Sequence, residues 1–600
     1  MTLAATLQEA AQRLNQNQPS EALDLLLPLS REFDDVADIW QLLALAYKGI
    51  GQFSAAESAF LKAIALSPVP HVIVNLANLY RQTGDLAQAL SRYDEALKIV
   101  PDNVAASVNR ARTLMDLGRF EEAEIAFRAV TQTAPHHVNG RIGLAQVLQK
   151  MGYQEQAIEI FQDVLNDNPE NAAALNGLGI SLKVLGYADD AVEVLQQGAR
   201  HAPDSPEIYS NLASALVQSD RPDEAVACYQ QALSLDPENP DLHDWYNGYL
   251  GVLEHPEYLE SYRKALQAWP EQTVLAEAYA RKLFLNGRVS EAEQVLLDTI
   301  GVAGENGPLA RELSHVRRES GQFDAALEVA RRAVALDPDE PANKRELASA
   351  IMAAAQDYDE ALDLLRALVS AYPYDQGLWA LYATALRYTQ REQEYRELVD
   401  YDKLVNKRYL TPPEGFESRG AFVAHIREAL LALHTTRRHP VEQSMVNGTQ
   451  TLDDLFSRRD PAVGLVVQSL HQQLQELIDN LPSAGGHPLL RRNTGKLGFS
   501  DSWSVLLREH GYHKNHFHSE GWLSSALYLI VPDAVSAGGG EGWIKFGEPG
   551  FRAREPLAAE YWIKPEEGAL VVFPSYLWHG TEPLKTASQR MSVGYDVVPL

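Results

Sequence analysis

Six hundred residues exceed what one hydrophobic core organises, so two or more units are expected. The chain is 46% hydrophobic and 22% charged, with a formal net charge of -29; from residue 411 onward 17 Lys/Arg face 21 Asp/Glu, so only -4 of that charge lies there. Such a surface repels nucleic acid and anionic membrane and suits basic or neutral partners, or serves solubility alone. The single cysteine, Cys228, excludes an intramolecular disulfide and a cysteine-based zinc site.

The first residues, "MTLAATLQEAAQRLNQ", lack the basic start and continuous apolar core of a signal peptide. No apolar run reaches the roughly 20 residues that span a bilayer, so a cytoplasmic protein is expected. Prolines recur at 68, 101, 135, 169, 203, 237 and 270, then at 338 and 373. A period near 34 marks a helical repeat array. One copy shows the pattern: Trp40, Leu43, Ala44 and Tyr47 form the buried stripe of a first helix, and Gly51 falls at the turn. Ala56, Phe60 and Ala63 form the stripe of a second helix, which Pro68 ends. Cys228, in the helical stretch "AVACYQQAL", reads as a small buried hydrophobe.

This pattern resembles the tetratricopeptide repeat family over about residues 1–405, in eleven or twelve copies. The expected architecture is an α-solenoid, a superhelix through residue 408 with a concave surface that binds a protein or peptide. The copies near 240–272 and 273–306 depart from the pattern: Asn247 intrudes on the first, and the second lacks its proline. Asn75, Asn109 and Asn211 occupy equivalent positions, whereas the repeats between 138 and 205 have no asparagine there. A side-chain amide donates and accepts at once. These three resemble the asparagine ladder of some peptide-binding arrays of this family, or are polar residues lining a helix.

After "DKLVNKRYL", the stretch "TPPEGFES" ends the period, and a second domain is expected over 409–600. Residues 418–485 read helical. From 498 the runs "FSDSWSVLLREHGYH", "LSSALYLIVP", "GWIKFGEP", "YWIKPEEGALVVFPSYLWHG" and "RMSVGYDVVPL" read as short strands between Gly and Pro. An α+β domain follows, with a double-sheet jelly roll over 498–600 and helices packed outside. Gly538–Gly540 reads as a loop beside it, a lid or a long hairpin turn.

"GYHKNHFHSEGWL" concentrates histidines just ahead of an apolar run. On an extended strand His516, His518 and Glu520 share one face and His513 takes the other. Two imidazoles two residues apart can share a metal ion, and His579, in "SYLWHGTEP", is the candidate third ligand from another strand end. Two His and a carboxylate on a β scaffold is the facial site typical of non-haem Fe(II) oxygenases. Arg590, in "RMSVGYDV", can hold a carboxylate in a bidentate fork, and Ser592 on the same face can add a hydrogen bond. A cavity with metal ligands at one end and this anchor at the other suits a dicarboxylic keto acid.

The segments "HFHSEGWLSSALYLIVP", "GWIKFGEPG", "GALVVFPSYLWH" and "RMSVGY" resemble the 2-oxoglutarate/Fe(II) oxygenase domain found behind some tetratricopeptide arrays, with a double-stranded β-helix core. The resemblance covers about 440–600. It implies an Fe(II)/2-oxoglutarate-dependent dioxygenase that uses O2 to hydroxylate a C–H bond. By it His579 is the distal iron ligand, Arg590 the 2-oxoglutarate anchor, and Tyr528 a contact to the same carboxylate. Two proximal registers compete, His516 with His518 or His518 with Glu520; the closer resemblance keeps His-x-His. A rival reading is a scaffold protein whose C-terminal domain holds a metal without catalysis.

Overall fold

The computed structural model describes residues 2–434, 444–451, 454–458, 460–481, 486–536, 539–585 and 588–600. The chain divides into two compact units, Met1–Asp204 and Ser205–Leu600.

The first unit is built of antiparallel helix pairs, such as Ala37–Gly49 with Phe53–Leu66 and Pro70–Gln82 with Leu86–Ile99. The first of these pairs buries Leu43, Ala44, Ala56, Phe60 and Ala63, each at most 1% exposed, whereas Trp40 and Tyr47, expected in the same stripe, are partly buried against the cluster. The turns use Gly51, Gly84, Gly118, Gly152 and Gly186 at φ between +73° and +85°, a backbone region that glycine enters without a Cβ clash. Asn109 has its counterparts at Gly143 and Gly177, 34 residues apart. A Cβ at either glycine would collide with the ring of Phe127 or Phe161, so close helix packing requires glycine there.

The second unit begins with further pairs, from Pro206–Gln218 with Pro222–Leu235 to Gln376–Tyr388 with Glu392–Leu398. Its irregular copy pairs Pro240–Val252 with a shortened helix, Glu260–Ala268. The buried Asn247 explains the irregularity. Its amide donates to the His243 carbonyl oxygen at 2.8 Å and to Ser261 Oγ at 2.6 Å, and it accepts from the Leu259 N–H at 2.6 Å. That staple holds Leu259 at φ +68° and delays the second helix. Cys228 is partly buried against the hydrophobic cluster around Tyr229 and Tyr246.

Among the described residues nine strands follow: β1 (Asn406–Tyr409), β2 (Met445–Gln450), β3 (Leu497–His513), β4 (Leu523–Ile530), β5 (Ile544–Phe546), β6 (Tyr561–Ile563), β7 (Ala569–Pro574), β8 (His579–Thr581) and β9 (Arg590–Pro599). They form a six-stranded sheet in the order β1-β7-β4-β9-β3-β2 and a three-stranded sheet in the order β6-β5-β8, with antiparallel pairing throughout. The result is a jelly-roll-like domain that follows the helix pairs in the chain. Helices Arg419–Leu431 and Pro461–Asp479 contact β4 and β3. Strands β1 and β2, "NKRY" and "MVNGTQ", are polar sheet-edge strands that the sequence pattern does not announce. Gly539 and Gly540 adopt positive φ; Gly538 lies outside the described residues. Among the described residues no helix is long and apolar enough to cross a membrane.

One hydrophobic core runs through the second unit from the last repeats into the sheet, joining Leu362, Leu386 and Tyr395 to Leu527, Val571 and Tyr595. The connection between β5 and β6 lies against the ends of the repeat helices. Arg554 donates to the Ala354 carbonyl oxygen at 3.1 Å, Arg552 to the Glu319 carbonyl oxygen at 3.1 Å, and Tyr388 to the Glu555 carbonyl oxygen at 2.7 Å.

Candidate metal centre and its cavity

The histidine-rich stretch is not a strand. Strand β3 ends at His513 and β4 begins at Leu523. The residues between run extended beside β8, held by one isolated bridge: His516 N–H to the His579 carbonyl oxygen at 2.8 Å, and His579 N–H to that of His516 at 2.9 Å. The His518 N–H donates to the Ser575 carbonyl oxygen at 3.0 Å. This short extended piece suffices to put His516 and His518 on one face. The chain bends at Ser519 and Glu520, so the alternation stops before Glu520 can join them.

His516, His518 and His579 each offer a nitrogen, and the three atoms lie within 4.8 Å of one another. Their tautomers follow from their partners. His516 Nδ1 donates to the Lys514 carbonyl oxygen at 2.8 Å, His579 Nδ1 to the Leu577 carbonyl oxygen at 2.9 Å, and His518 Nδ1 to Asp596 Oδ1 at 2.6 Å. Every Nε2 is then unprotonated, and that of His516 also lies 3.3 Å from Ser444 Oγ. The Nε2 atoms of His516 and His518 are 3.2 Å apart; two acceptors at that distance repel unless a cation lies between them. Two nitrogens at right angles on a metal about 2.1 Å away would be about 3 Å apart. Burial, reinforced by His518, pushes the His516 pKa down to about 3. Burial, reinforced by His516 and His518, drives that of His579 well below the usual value. Both rings are neutral and ready to coordinate.

The three rings line a cavity of about 660 Å³. Strand β9 supplies one wall, with Arg590, Ser592, Gly594 and Asp596 facing it, while Met591, Val593, Tyr595 and Val597 enter the core. Gly594 is needed because Trp503 lies on it: a Cβ would come 2.7 Å from the indole. The Trp503 ring also stands 5.6 Å from that of His518.

Arg590 is 2% exposed. Its Nη1 donates to the Gly542 carbonyl oxygen at 2.6 Å, and its guanidinium lies 5.7 Å from the centre of the Tyr528 ring. Arg590 Nε and Tyr528 Oη are buried and have no hydrogen-bond partner among the described residues. Tyr528 and Ser592 are directly opposed on β4 and β9. Burial lowers the Arg590 pKa and raises that of Tyr528, so the phenol stays a donor. A buried cation and two unfilled donors on one wall fit an anionic ligand with a carboxylate.

The other expected residues are placed as follows. Glu520 is exposed; it lines the cavity but stands outside the convergent trio. His513, expected to face away, lines the same cavity, with Nδ1 3.1 Å from Ser444 Oγ. The alternation argument fails there because the ladder ends at His513 and the chain bends at Asn515. Asn75 and Asn109 lie on neighbouring first helices of the first unit, and Asn211 lies in the second unit. Asn109 Nδ2 donates to Asn78 Oδ1 at 3.0 Å, and both line a polar cavity of about 530 Å³ with Lys48 and Arg81. Sequence reasoning missed Asp596, although its even spacing from Arg590 along β9 placed it on the same face.

The model of a family described as "Putative 2OG-Fe(II) oxygenase" matches residues 501–596. Models described as "Tetratricopeptide repeat" match residues 37–70, 74–137, 142–206, 185–244 and 311–376. No curated protein matches the chain. Similar solved structures include TTC0263, a thermophilic tetratricopeptide protein in Thermus thermophilus, at 28% identity over 30% of this chain and 99% of that one, with a TM-score of 0.29. Yeast Tom70 aligns at 14% identity over 66% of this chain and 97% of that one, with a TM-score of 0.34. YrrB, a tetratricopeptide protein with an unusual peptide-binding site, aligns at 21% identity over 30% and 94%, with a TM-score of 0.24. The chain is a tetratricopeptide-repeat protein that carries a C-terminal domain of the family described as "Putative 2OG-Fe(II) oxygenase".

Proposed function

We propose that this protein is an Fe(II)- and 2-oxoglutarate-dependent dioxygenase that hydroxylates a protein or peptide held by its repeats. One observation carries the reading. Three imidazoles whose ligand nitrogens converge within 4.8 Å share a cavity with a buried arginine whose Nε is unfilled. In this reading His516, His518 and His579 hold the iron, and Arg590, Ser592 and Tyr528 hold the far carboxylate of 2-oxoglutarate. With both bound, iron and 2-oxoglutarate supply the activation of O2 for C–H hydroxylation. The chain's own share is to fix each imidazole through its Nδ1–H, to neutralise the buried carboxylate, and to keep water from the reacting centre.

The repeats of the second unit border this cavity. Leu285, at the end of the repeat helix Thr273–Leu285, lines it. Phe517, between two of the proposed ligands, packs so closely on Gly377 of the helix Gln376–Tyr388 that a Cβ there would lie 2.9 Å from its ring. A target bound along these repeats is thereby presented at the cavity. Asn211 is the proposed backbone contact on these repeats, and Asn75 and Asn109 are proposed backbone contacts within the first unit.

The test uses the full chain with Fe(II), 2-oxoglutarate and O2, following succinate over a panel of peptides. Peptide-stimulated succinate that disappears in His579→Ala, with peptide choice altered in Asn109→Ala, is the expected result. An iron-loaded chain that forms no succinate with any peptide, yet retains its protein partners after His579→Ala, contradicts it and favours a scaffold.

A further inference from the structure

We propose that Asp596 is a positioning residue for the metal, acting through His518 and supplying the negative charge that a three-histidine site lacks. This inference rests on the iron reading above.

Three neutral imidazoles leave both charges of a divalent ion uncompensated in a cavity that also holds the Arg590 cation. Asp596 answers that imbalance. It is 5% exposed, and a carboxylate so buried stays charged only with strong donors or a cation beside it. Its Oδ1 accepts from His518 Nδ1 and from Ser524 Oγ, each at 2.6 Å, and Ser524 Oγ is 2.8 Å from Ser575 Oγ. Among the described residues no lysine or arginine pairs with it; its ion-pair partner is His518. A metal ion held at His518 Nε2 would lie across the imidazole from this carboxylate.

The enclosure is built for this contact. Gly521 passes directly over the carboxylate, and a Cβ there would lie 3.1 Å from Asp596 Cγ and 3.2 Å from Oδ1. The trio is also asymmetric. His516 and His579 donate to neutral backbone carbonyls; His518 alone donates to a carboxylate. An anionic acceptor draws the Nδ1 proton and makes Nε2 the stronger donor to a metal. The charge thus lies one bond network behind the ligands, and the positions facing the reaction stay free. Strand β9 then carries an anion at the metal end, Asp596, and a cation six residues away at the co-substrate end, Arg590, on one face.

The experiment titrates the metal-free full chain with Co(II), followed by its visible d–d absorption, in the wild type, Asp596→Asn and Asp596→Ala. Asn keeps an acceptor for His518 and removes the charge; Ala removes both. Affinity should fall about 10-fold in Asn and about 100-fold in Ala. With Fe(II) and 2-oxoglutarate under argon, the charge-transfer band of Asp596→Asn should move to shorter wavelength, because iron without the nearby anion gives up its electron less readily. A purely structural Asp596 would leave that band in place. Asp596→Asn that binds Co(II) within twofold of wild type, with an unmoved band, overturns the proposal. A wild type that binds no Co(II) overturns the iron reading and this inference together. Should both Asp596 variants fail to fold, Ser524→Ala takes their place: a several-fold loss of Co(II) affinity supports the proposal, and unchanged affinity overturns it.

Discussion

Trp578, the neighbour of His579, donates its indole N–H to Thr384 Oγ1 at 3.0 Å, with the Ala380 carbonyl oxygen 3.2 Å away. A repeat helix therefore holds the chain one residue from a proposed metal ligand. The Phe517 and Phe551 rings stand edge-on to the indole at 4.9 and 6.3 Å.

Removing that indole should loosen both the solenoid contact and the site. Trp578→Ala is expected to destabilise the second unit by about 3 kcal/mol, as large aromatic truncations do, and to weaken Co(II) binding. Trp578→Phe keeps most of the packing and should lose less of both. Thermal unfolding of the full chain and Co(II) titration check the order.

Arg590 is a buried cation without a carboxylate among the described ion pairs, as the proposed 2-oxoglutarate anchor requires. Arg590→Met should leave the co-substrate-free chain no less stable than wild type. It should weaken 2-oxoglutarate binding at least about 100-fold, the scale of a lost charge-assisted bidentate contact. Calorimetry with Co(II)-loaded protein separates this from metal loss, since Co(II) affinity should change by less than threefold.

The competing register makes Glu520 a ligand. Its exposure and its place outside the trio predict that Glu520→Gln binds Co(II) within twofold of wild type. His516→Ala should lose at least about 100-fold. The opposite pattern would assign the site to His518 and Glu520.

His434 lies between Thr449 Oγ1 at 2.8 Å and Ser504 Oγ at 3.0 Å. Burial, helped by Arg508, lowers its pKa to about 4. The unfolded chain takes up this proton near pH 6.5, the folded chain only near pH 4. Between these values the unfolded state holds the extra proton, so stability falls as pH falls, by up to about 1.4 kcal/mol per unit. Melting temperature between pH 7 and 4 should drop less steeply in His434→Gln than in wild type.

The repeats were legible because glycine turns, small residues and prolines recur together at one period, and helix pairs follow from that pattern locally. The trio was legible for a similar reason: His516 and His518 need only a few extended residues to share a face, and His579 follows an apolar strand. Asp596 was not, because its role depends on β9 lying beside the stretch that holds His518, 78 residues earlier in the chain. The contacts of Arg552, Arg554 and Trp578 with the repeats were equally hidden, since no local pattern fixes how a solenoid meets a sheet. Strands β1 and β2 escaped notice because their residues are polar and gain strand structure only by pairing with β7 and β3.

The most direct measurement is an anaerobic titration of the full chain with Fe(II) and 2-oxoglutarate, following the visible charge-transfer band of the ternary complex. The account predicts a band in the wild type that is lost in His579→Ala and lost at matched 2-oxoglutarate in Arg590→Met. A folded, iron-loaded wild type that shows no band on adding 2-oxoglutarate would contradict it.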